Sequence, residues 1–229
     1  DLSVRLSEAP LVIIEGDEYL TSPLDRTPKF FHYQHDILLV SGIAWDHFNV
    51  FPDFEDYKNQ FAMLMNRTPT TGSLIYCSAD PLVKEAAEKS PCLGEKIGYQ
   101  AHPSQITDGK TSLITPKGEV EIGIFGEHNL QNLQGALHIC EALGLSREKF
   151  YTSIQNFKGA AKRQEILVQH DSGVLFRDFA HAPSKLKATV NAVKNQFPKR
   201  RLLAVQELHT YSSLNKAFLP NYAHSMELA

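Results

Sequence analysis

The sequence has little of several features that define broad protein classes. Its 229 residues include only three cysteines (Cys77, Cys92 and Cys140), an odd number without metal-type spacing, which we expect to be reduced thiols. No apolar run reaches the roughly 20 residues that span a bilayer, and no charged-then-apolar leader opens the chain. A net charge of −3 provides no basic face for nucleic acid. The composition therefore predicts a cytoplasmic protein with neither membrane insertion nor a nucleic-acid partner.

The hydrophobic content of 42% and the charged content of 21% are those of an ordinary globular protein. A chain of this length holds one large domain or two smaller ones. It begins without a methionine, almost directly in an apolar run, and its last segment, AFLPNYAHSMELA, stops inside what reads as a helix. We therefore expect it to be part of a longer protein.

Apolar runs alternate with amphipathic segments along the chain, which is typical of an α/β fold. Buried strands are expected at 11–15 and 37–41, in SLIYCSADP (73–81, a strand followed by a turn), in GVLFRDFAHAP (173–183) and at 200–211, with β-hairpins in 96–125. The pattern predicts a mostly parallel central sheet flanked by helices over residues 1–157. A truncated Rossmann-like α/β domain over residues 158–229 is expected after the hinge KGAAKR.

Acidic clusters follow the first two of these predicted strands. Glu15, Asp17 and Glu18 follow one, and Asp46 and His47 follow the other. Ligands collect at the carboxyl ends of strands in open α/β sheets, and carboxylates with an imidazole suit a magnesium or manganese site that handles phosphate. The alternative is that all five are solvated loop residues.

Six short segments stand out along essentially the whole chain: EGDE, WDH, GEHNLQN, KRQE, DFAHAP and ELHTY, in this order. Together they resemble the Mur ligase family, whose members use ATP to attach amino acids or peptides to the peptidoglycan precursor. Each segment is weak alone, but their order and spacing are specific. The resemblance implies ATP and Mg²⁺ as cofactors and UDP-N-acetylmuramate as the acyl substrate.

Two branches of the family fit the sequence. The better match is the murein-recycling branch, which joins the tripeptide L-Ala-γ-D-Glu-meso-diaminopimelate to UDP-N-acetylmuramate, because Tyr19 follows the acidic cluster and Glu15 precedes His47 by 32 positions. The branch that adds a single L-alanine typically has a shorter excursion and a serine in place of Tyr19. It is the second candidate.

The resemblance also implies roles for individual residues. Glu15 and His47 match the two catalytic magnesium ligands of the family. His128, Asn129 and Asn132 match contacts on the adenine side of the nucleotide, for which an amide that both donates and accepts is suited. The resemblance therefore implies a magnesium-bound triphosphate beside these residues. The alternative for His47 is a capping or core histidine, and the alternative for the GEHNLQN segment is a plain helix cap.

Further residues match the junction with the C-terminal domain. Arg163 corresponds to an arginine that reaches the nucleotide phosphates, and Asp178 and His181 belong to a segment that closes on ATP and the incoming amine. His209 and Tyr211 match a strand end without an assigned role. A surface hinge arginine is the alternative for Arg163.

Departures from the family pattern affect these expectations. Gly42 and Ala44 replace a usual Asn and Glu, which keeps open an inactive nucleotide-binding module as an alternative function. Phe61 occupies the position of a carbamylated lysine found in several relatives, so none is expected, and Lys58 is not its substitute. Folylpolyglutamate-type ligation shares the architecture but matches the EGDE and DFAHAP segments less well.

The family's glycine-rich phosphate loop is absent from these 229 residues. Asp108-Gly109-Lys110-Thr111 imitates its end, but without a strand-to-helix context it is expected to be a hairpin turn. We expect the isolated chain to be inactive for want of this loop. His32, His35 and Asp36 could suggest zinc, but the set lacks a fourth ligand.

Overall fold

The structure is a computed structural model, which describes Arg5, residues 7–45 and residues 50–229. Contacts divide the chain into two compact units, Asp1–Gln34 and His35–Ala229. The domain boundary expected between residues 157 and 158 falls inside the second unit and stays a prediction. No helix in the described part of the chain is long and apolar enough to cross a membrane.

The first unit is mostly irregular. A single β-bridge joins Leu20 to Pro28, and a 3₁₀ helix covers Lys29–His32. The prediction of a buried strand at residues 11–15 is wrong: the segment has no regular secondary structure, with Val12 74% and Ile13 86% exposed. An apolar run becomes a buried strand only when another strand pairs with it, and the described residues of this unit form no ladder for it.

A three-stranded parallel sheet begins the second unit. Its strands are β1 (Ile37–Val40), β2 (Ser73–Cys77) and β3 (Glu95–Tyr99), in that spatial order. Two helices make the crossovers that parallel strands require, α1 (Phe54–Met65) and α2 (Pro81–Lys89). This is the predicted mixed α/β architecture with a parallel sheet.

Both crossover helices begin at the aspartates that the sequence indicates. The Asp53 carboxylate accepts hydrogen bonds from the backbone N–H groups of Glu55 and Asp56, and Asp80 accepts from those of Leu82 and Val83. These bonds satisfy backbone donors that the first turn of a helix leaves open.

An antiparallel meander follows, made of β4 (Ser104–Thr107), β5 (Lys110–Thr115) and β6 (Gly118–Ile122). Asp108 and Gly109 connect β4 to β5 with φ values of 51° and 75°. Two left-handed residues between antiparallel strands form a tight hairpin turn. The prediction that this segment is a turn and not a phosphate loop is confirmed.

Helix α3 (Glu127–Ala142) connects the two sheets. Its Leu130, Leu133 and Leu137 pack with Leu113 of β5, while Ile139 packs against the core of the parallel sheet. The helix ends where Gly144 adopts a φ of 79°, as its sequence predicts. Ser146 then caps α4 (Arg147–Ile154) through the N–H of Lys149.

The C-terminal part is only partly as predicted. Strands β7 (Glu165–His170) and β8 (Gly173–Arg177) form an antiparallel hairpin, which leads into α5 (Pro183–Gln196). The strand expected over 200–211 is not formed. Leu202 and Ala204 pack on the core of α5, but Leu203 and Val205 are 79% and 90% exposed.

The apolar side chains at 203 and 205 point away from that core, so no residue in the described part of the chain covers the second face that a central strand would bury. The strand–helix–strand unit of a Rossmann-like domain is therefore incomplete in the described residues. The terminal segment that reads as a helix forms only a 3₁₀ turn, Leu219–Tyr222, in which Pro220 has no N–H to donate.

Candidate functional site

Three segments of the second unit meet at the start of α3. They are the first turn of α3, the turn at residues 162–164 before β7, and residues 178–181 after β8. Gly126 precedes α3 with a φ of 90° and provides no capping side chain, so the helix N-terminus is left without a side-chain cap. The segments GEHN, KRQ and DFAH, far apart in sequence, thus form one cluster.

Asn129 is at the centre of this cluster. Its Nδ2 group donates hydrogen bonds to the carbonyl oxygen of Phe125 and to Oε1 of Gln164, both at 2.8 Å. Both amide hydrogens are therefore used within the protein, and the oxygen of this amide is the atom left for another partner.

Asp178 fixes the backbone of the two loops. Its Oδ2 accepts from the backbone N–H of Gln164 at 2.7 Å, and its Oδ1 accepts from that of Ala180 at 2.7 Å. A carboxylate that accepts two backbone hydrogen bonds organises a loop strongly. Asp178 therefore holds the shape of the cluster.

His128 is half-buried beside Asn129, and burial lowers the pKa of its imidazole. Asp178 raises that pKa and Arg163 lowers it, which places both charges within electrostatic range of the ring. The lowered pKa favours the uncharged imidazole, which can both donate and accept a hydrogen bond.

Arg163 lies on the exposed side of the cluster. Its guanidinium carbon is 5.6 Å from the centre of the Phe179 ring, a cation–π distance. The rings of His181 and His209 lie 5.0 Å and 6.0 Å from the same ring. An arginine supported by an aromatic face suits a phosphate group, which its fork of donors can bind at two points.

Asn132 is exposed and lies one turn further along α3 than Asn129. Tyr211 is 69% exposed in the irregular C-terminal segment. The structure therefore brings together His128, Asn129, Arg163, Asp178 and His181, with His209 next to them.

The predicted metal ligands belong to other segments of the chain. Asp46 and His47 lie outside the described residues. Glu15 belongs to the first unit, where it is exposed, so its pairing with His47 stays a prediction. Within the described ranges, no group of three or more His, Cys, Asp or Glu side chains could hold a metal ion.

The neighbours of Glu15 and His47 have identifiable contacts. Asp17 forms a 2.7 Å ion pair with Lys29 and accepts from the N–H of Tyr19, so it is engaged within its own loop. On either side of residues 46–49, Trp45 Nε1 donates to the carbonyl of Phe51 at 2.8 Å. Ile43 N donates to Asp80 Oδ2, which ties the segment with Gly42 and Ala44 to the start of α2.

The histidines considered for zinc have hydroxyl partners. His32 Nε2 is 2.9 Å from Thr21 Oγ1, and His35 Nε2 is 3.2 Å from Thr68 Oγ1. Phe61 is buried in α1, and Lys58 forms an ion pair with Glu55.

Gln164 is the site residue that sequence reasoning missed. It is only 9% exposed, its φ is 46°, and its Nε2 is a buried donor with no partner within the described part of the chain. The preceding Lys162 also has a positive φ of 58°. The only sequence signal for a role of Gln164 is its place in the KRQE segment. Glutamine in a basic turn is ordinarily solvated, so the residue type alone does not indicate a buried site residue.

Comparison with known proteins gives consistent matches. The family model of the Mur ligase middle domain matches residues 4–140. UDP-N-acetylmuramate–L-alanine ligase of Desulfitobacterium hafniense is 28% identical over 224 residues, covering 94% of this chain and 50% of that protein. UDP-N-acetylmuramate–L-alanyl-gamma-D-glutamyl-meso-2,6-diaminoheptandioate ligase of Haemophilus influenzae is 28% identical over 217 residues, covering 90% and 48%.

Solved structures share the fold. The UDP-N-acetylmuramate-alanine ligase of Thermotoga maritima superposes with a TM-score of 0.64 at 16% identity, covering 87% of this chain and 45% of that one. The chain spans about half the length of the curated relatives it matches.

Proposed function

Because this chain belongs to the Mur ligase family, we propose that the full-length protein is an ATP-dependent ligase that forms an amide bond on UDP-N-acetylmuramate. The observation that carries the proposal is the cluster of Asn129, Arg163 and Asp178 at the open N-terminus of α3. It combines an amide oxygen, an exposed guanidinium and a helix N-terminus, which together suit a nucleotide.

The reaction activates a carboxylate, which is otherwise a poor electrophile. A carboxylate oxygen of the muramate attacks the γ-phosphorus of ATP, and ADP leaves. The neutral amine then attacks the carbon of the acyl phosphate, loses a proton and expels phosphate. Phosphoryl transfer of this kind depends mainly on charge neutralisation and positioning.

Each residue of the cluster has a proposed task. Asn129 and the exposed Asn132 face the base, with neutral His128 beside them. Arg163, supported by Phe179, pairs with the phosphates, and Asp178 holds the loop that carries Arg163. His181 lies on the same loop, on the side from which the amine is proposed to enter.

Magnesium would be held by Glu15 and His47. The exposed carboxylate of Glu15 is a suitable oxygen ligand for this ion, which neutralises phosphate charge when bound. Glu15→Gln and His47→Ala in the full-length protein are expected to raise the magnesium concentration needed for half-maximal activity. Glu8→Gln, at another exposed position of the first unit, serves as the control. An unchanged magnesium requirement in both site variants would remove these residues from the metal site.

Two amine substrates remain candidates. The Tyr19 motif and the spacing of Glu15 and His47 support the tripeptide L-Ala-γ-D-Glu-meso-diaminopimelate, in murein recycling. L-Alanine is supported by relatives such as the Desulfitobacterium hafniense enzyme, whose identity of 28% equals that of the Haemophilus influenzae tripeptide ligase.

A phosphate-release assay tests the proposal. Purified full-length protein is incubated with ATP, Mg²⁺, UDP-N-acetylmuramate and either amine, and the mass of the product is measured by mass spectrometry. Amine-dependent phosphate release is expected with one of the two amines. Asn129→Ala should raise the KM for ATP, while Asn59→Ala, an exposed asparagine of α1, should not. ATP binding without turnover for either amine would instead favour an inactive nucleotide-binding module.

A further inference from the structure

The orientation of the Asn129 amide follows from its partners. The carbonyl of Phe125 can only accept, so it must face the nitrogen of Asn129. The second hydrogen of that nitrogen points to Oε1 of Gln164 at 2.8 Å. Asn129 Oδ1 is then the one atom of this amide left to meet a ligand.

Two features of Gln164 are energetically unfavourable in the folded protein. Its backbone has a left-handed φ of 46°, a conformation that residues other than Gly, Asn and Asp rarely adopt. Its Nε2 is buried without a hydrogen-bond partner within the described residues. The residue as a whole is only 9% exposed, and Asp178 Oδ2 accepts a hydrogen bond from its backbone N–H at 2.7 Å.

An apolar side chain such as methionine would fill this position without a stranded donor. What methionine cannot supply is an oxygen that accepts the second hydrogen of Asn129 Nδ2. We propose that Gln164 is a positioning residue that sets base selectivity, by holding Asn129 so that its amide presents only an oxygen to the nucleotide base. This proposal deepens the proposed function and rests on it.

The chemistry selects for one kind of base. An amide oxygen accepts a hydrogen bond from an exocyclic amino group such as the 6-amino group of adenine. A 6-oxo base presents a second acceptor at that place and is repelled. When a side chain without an acceptor replaces Gln164, one hydrogen of Asn129 Nδ2 loses its partner. The amide can then turn and donate that hydrogen to the base. Discrimination between the amino and the oxo base should then fall.

The test compares ATP with ITP, in which an oxo group replaces the 6-amino group and N1 carries a hydrogen, in the full-length protein with its preferred amine. Wild-type protein should favour ATP in kcat/KM by roughly ten- to a hundredfold, the value of one mismatched hydrogen bond. Gln164→Met should lower this ratio at least about fivefold, mainly through a higher KM for ATP, with kcat little changed. Gln164→Glu keeps an oxygen for Asn129 and should restore most of the ratio. Gln169→Met, an exposed glutamine on β7, is the matched control.

The outcomes separate the two ideas. An ATP-to-ITP ratio in Gln164→Met within twofold of wild type overturns the positioning role while leaving the ligase proposal intact. A wild-type protein that turns over neither nucleotide overturns both. If thermal melting shows that Gln164→Met is unfolded, Gln164→Asn replaces it, because its amide is one methylene too short to reach Asn129. An ATP-to-ITP ratio within twofold of wild type again overturns the positioning role, and a fall of at least about fivefold supports it.

Discussion

The side chains of Asn129 and Gln164, 35 positions apart in sequence, are joined by a hydrogen bond of 2.8 Å. This bond ties the first turn of α3 to the turn before β7. Because Asp178 holds the backbone of the same glutamine, the residues after β8 belong to the same network. The network that forms the proposed nucleotide subsite therefore also contributes to the stability of the fold.

Replacing Asp178 should expose that contribution. Asp178→Ala removes the acceptor of two backbone N–H groups, those of Gln164 and Ala180. We expect the free energy of unfolding to fall by about 3 kcal/mol or more, since two hydrogen bonds to a charged group are lost and each is worth on the order of 1.5–3 kcal/mol. Urea denaturation measures the change. Asp171→Ala, in the exposed turn between β7 and β8, is the control. Equal stability of the two variants would contradict the role of Asp178.

Tyr99 carries a buried hydroxyl that has no hydrogen-bond partner within the described ranges. Burial raises the pKa of this phenol above its ordinary value. Tyr99→Phe removes the stranded group and leaves the ring in the core of the parallel sheet, so stability should stay equal or rise by about 1 kcal/mol. A loss of more than about 1 kcal/mol in urea denaturation would mean that the hydroxyl has a partner after all.

Gly135 lets α3 approach the parallel sheet closely. A Cβ at this position would lie 2.9 Å from Tyr99 Oη and 3.0 Å from Leu39 Cδ1. Gly135→Ala should therefore destabilise the protein by about 1–3 kcal/mol, as overpacking of a core does. Gly173→Ala, where nothing lies within 4 Å of the new Cβ, should change the melting temperature little. If both glycines tolerate alanine alike, α3 does not pack as described.

Stability should depend on the protonation of buried histidines. Burial lowers the pKa values of His35, His102 and His128 below the ordinary value of 6.5. A base with a lower pKa in the folded protein is stabilising above pH 6.5, and this stabilisation is lost as the pH falls below 6.5 towards the folded pKa. The free energy of unfolding should therefore decline on acidification through this window.

His102 offers a way to check that origin. Its Nδ1 donates to the carbonyl of Pro103, and its Nε2 accepts from the hydroxyl of Tyr151. His102→Gln keeps a polar side chain that does not titrate, so the dependence of stability on pH below 6.5 should become shallower. An unchanged slope in denaturation curves recorded across this range would assign the dependence to other groups.

Local signals in the sequence predicted much of the fold. Asp53, Asp80 and Ser146 cap the helices they precede, Gly144 follows α3, and Asp108-Gly109 forms a hairpin turn. These features depend on hydrogen bonds and backbone angles within a few residues, which the sequence contains.

Features that depend on distant partners were predicted less well. The apolar runs at 11–15 and 200–211 read as buried strands, but a strand needs a neighbour that pattern alone does not supply. Motif order placed Asn129, Arg163 and Asp178 in one site. It did not identify Gln164, whose burial and stranded amide depend on contacts with residues far away in sequence.

The most direct measurement of the central claim follows oxygen from one substrate to another. Full-length protein is given UDP-N-acetylmuramate labelled with ¹⁸O in its lactyl carboxylate, together with ATP, Mg²⁺ and the amine. Transfer through an acyl phosphate predicts one ¹⁸O atom in each phosphate released, with ADP as the other product. Unlabelled phosphate, or label found in AMP, would contradict the account.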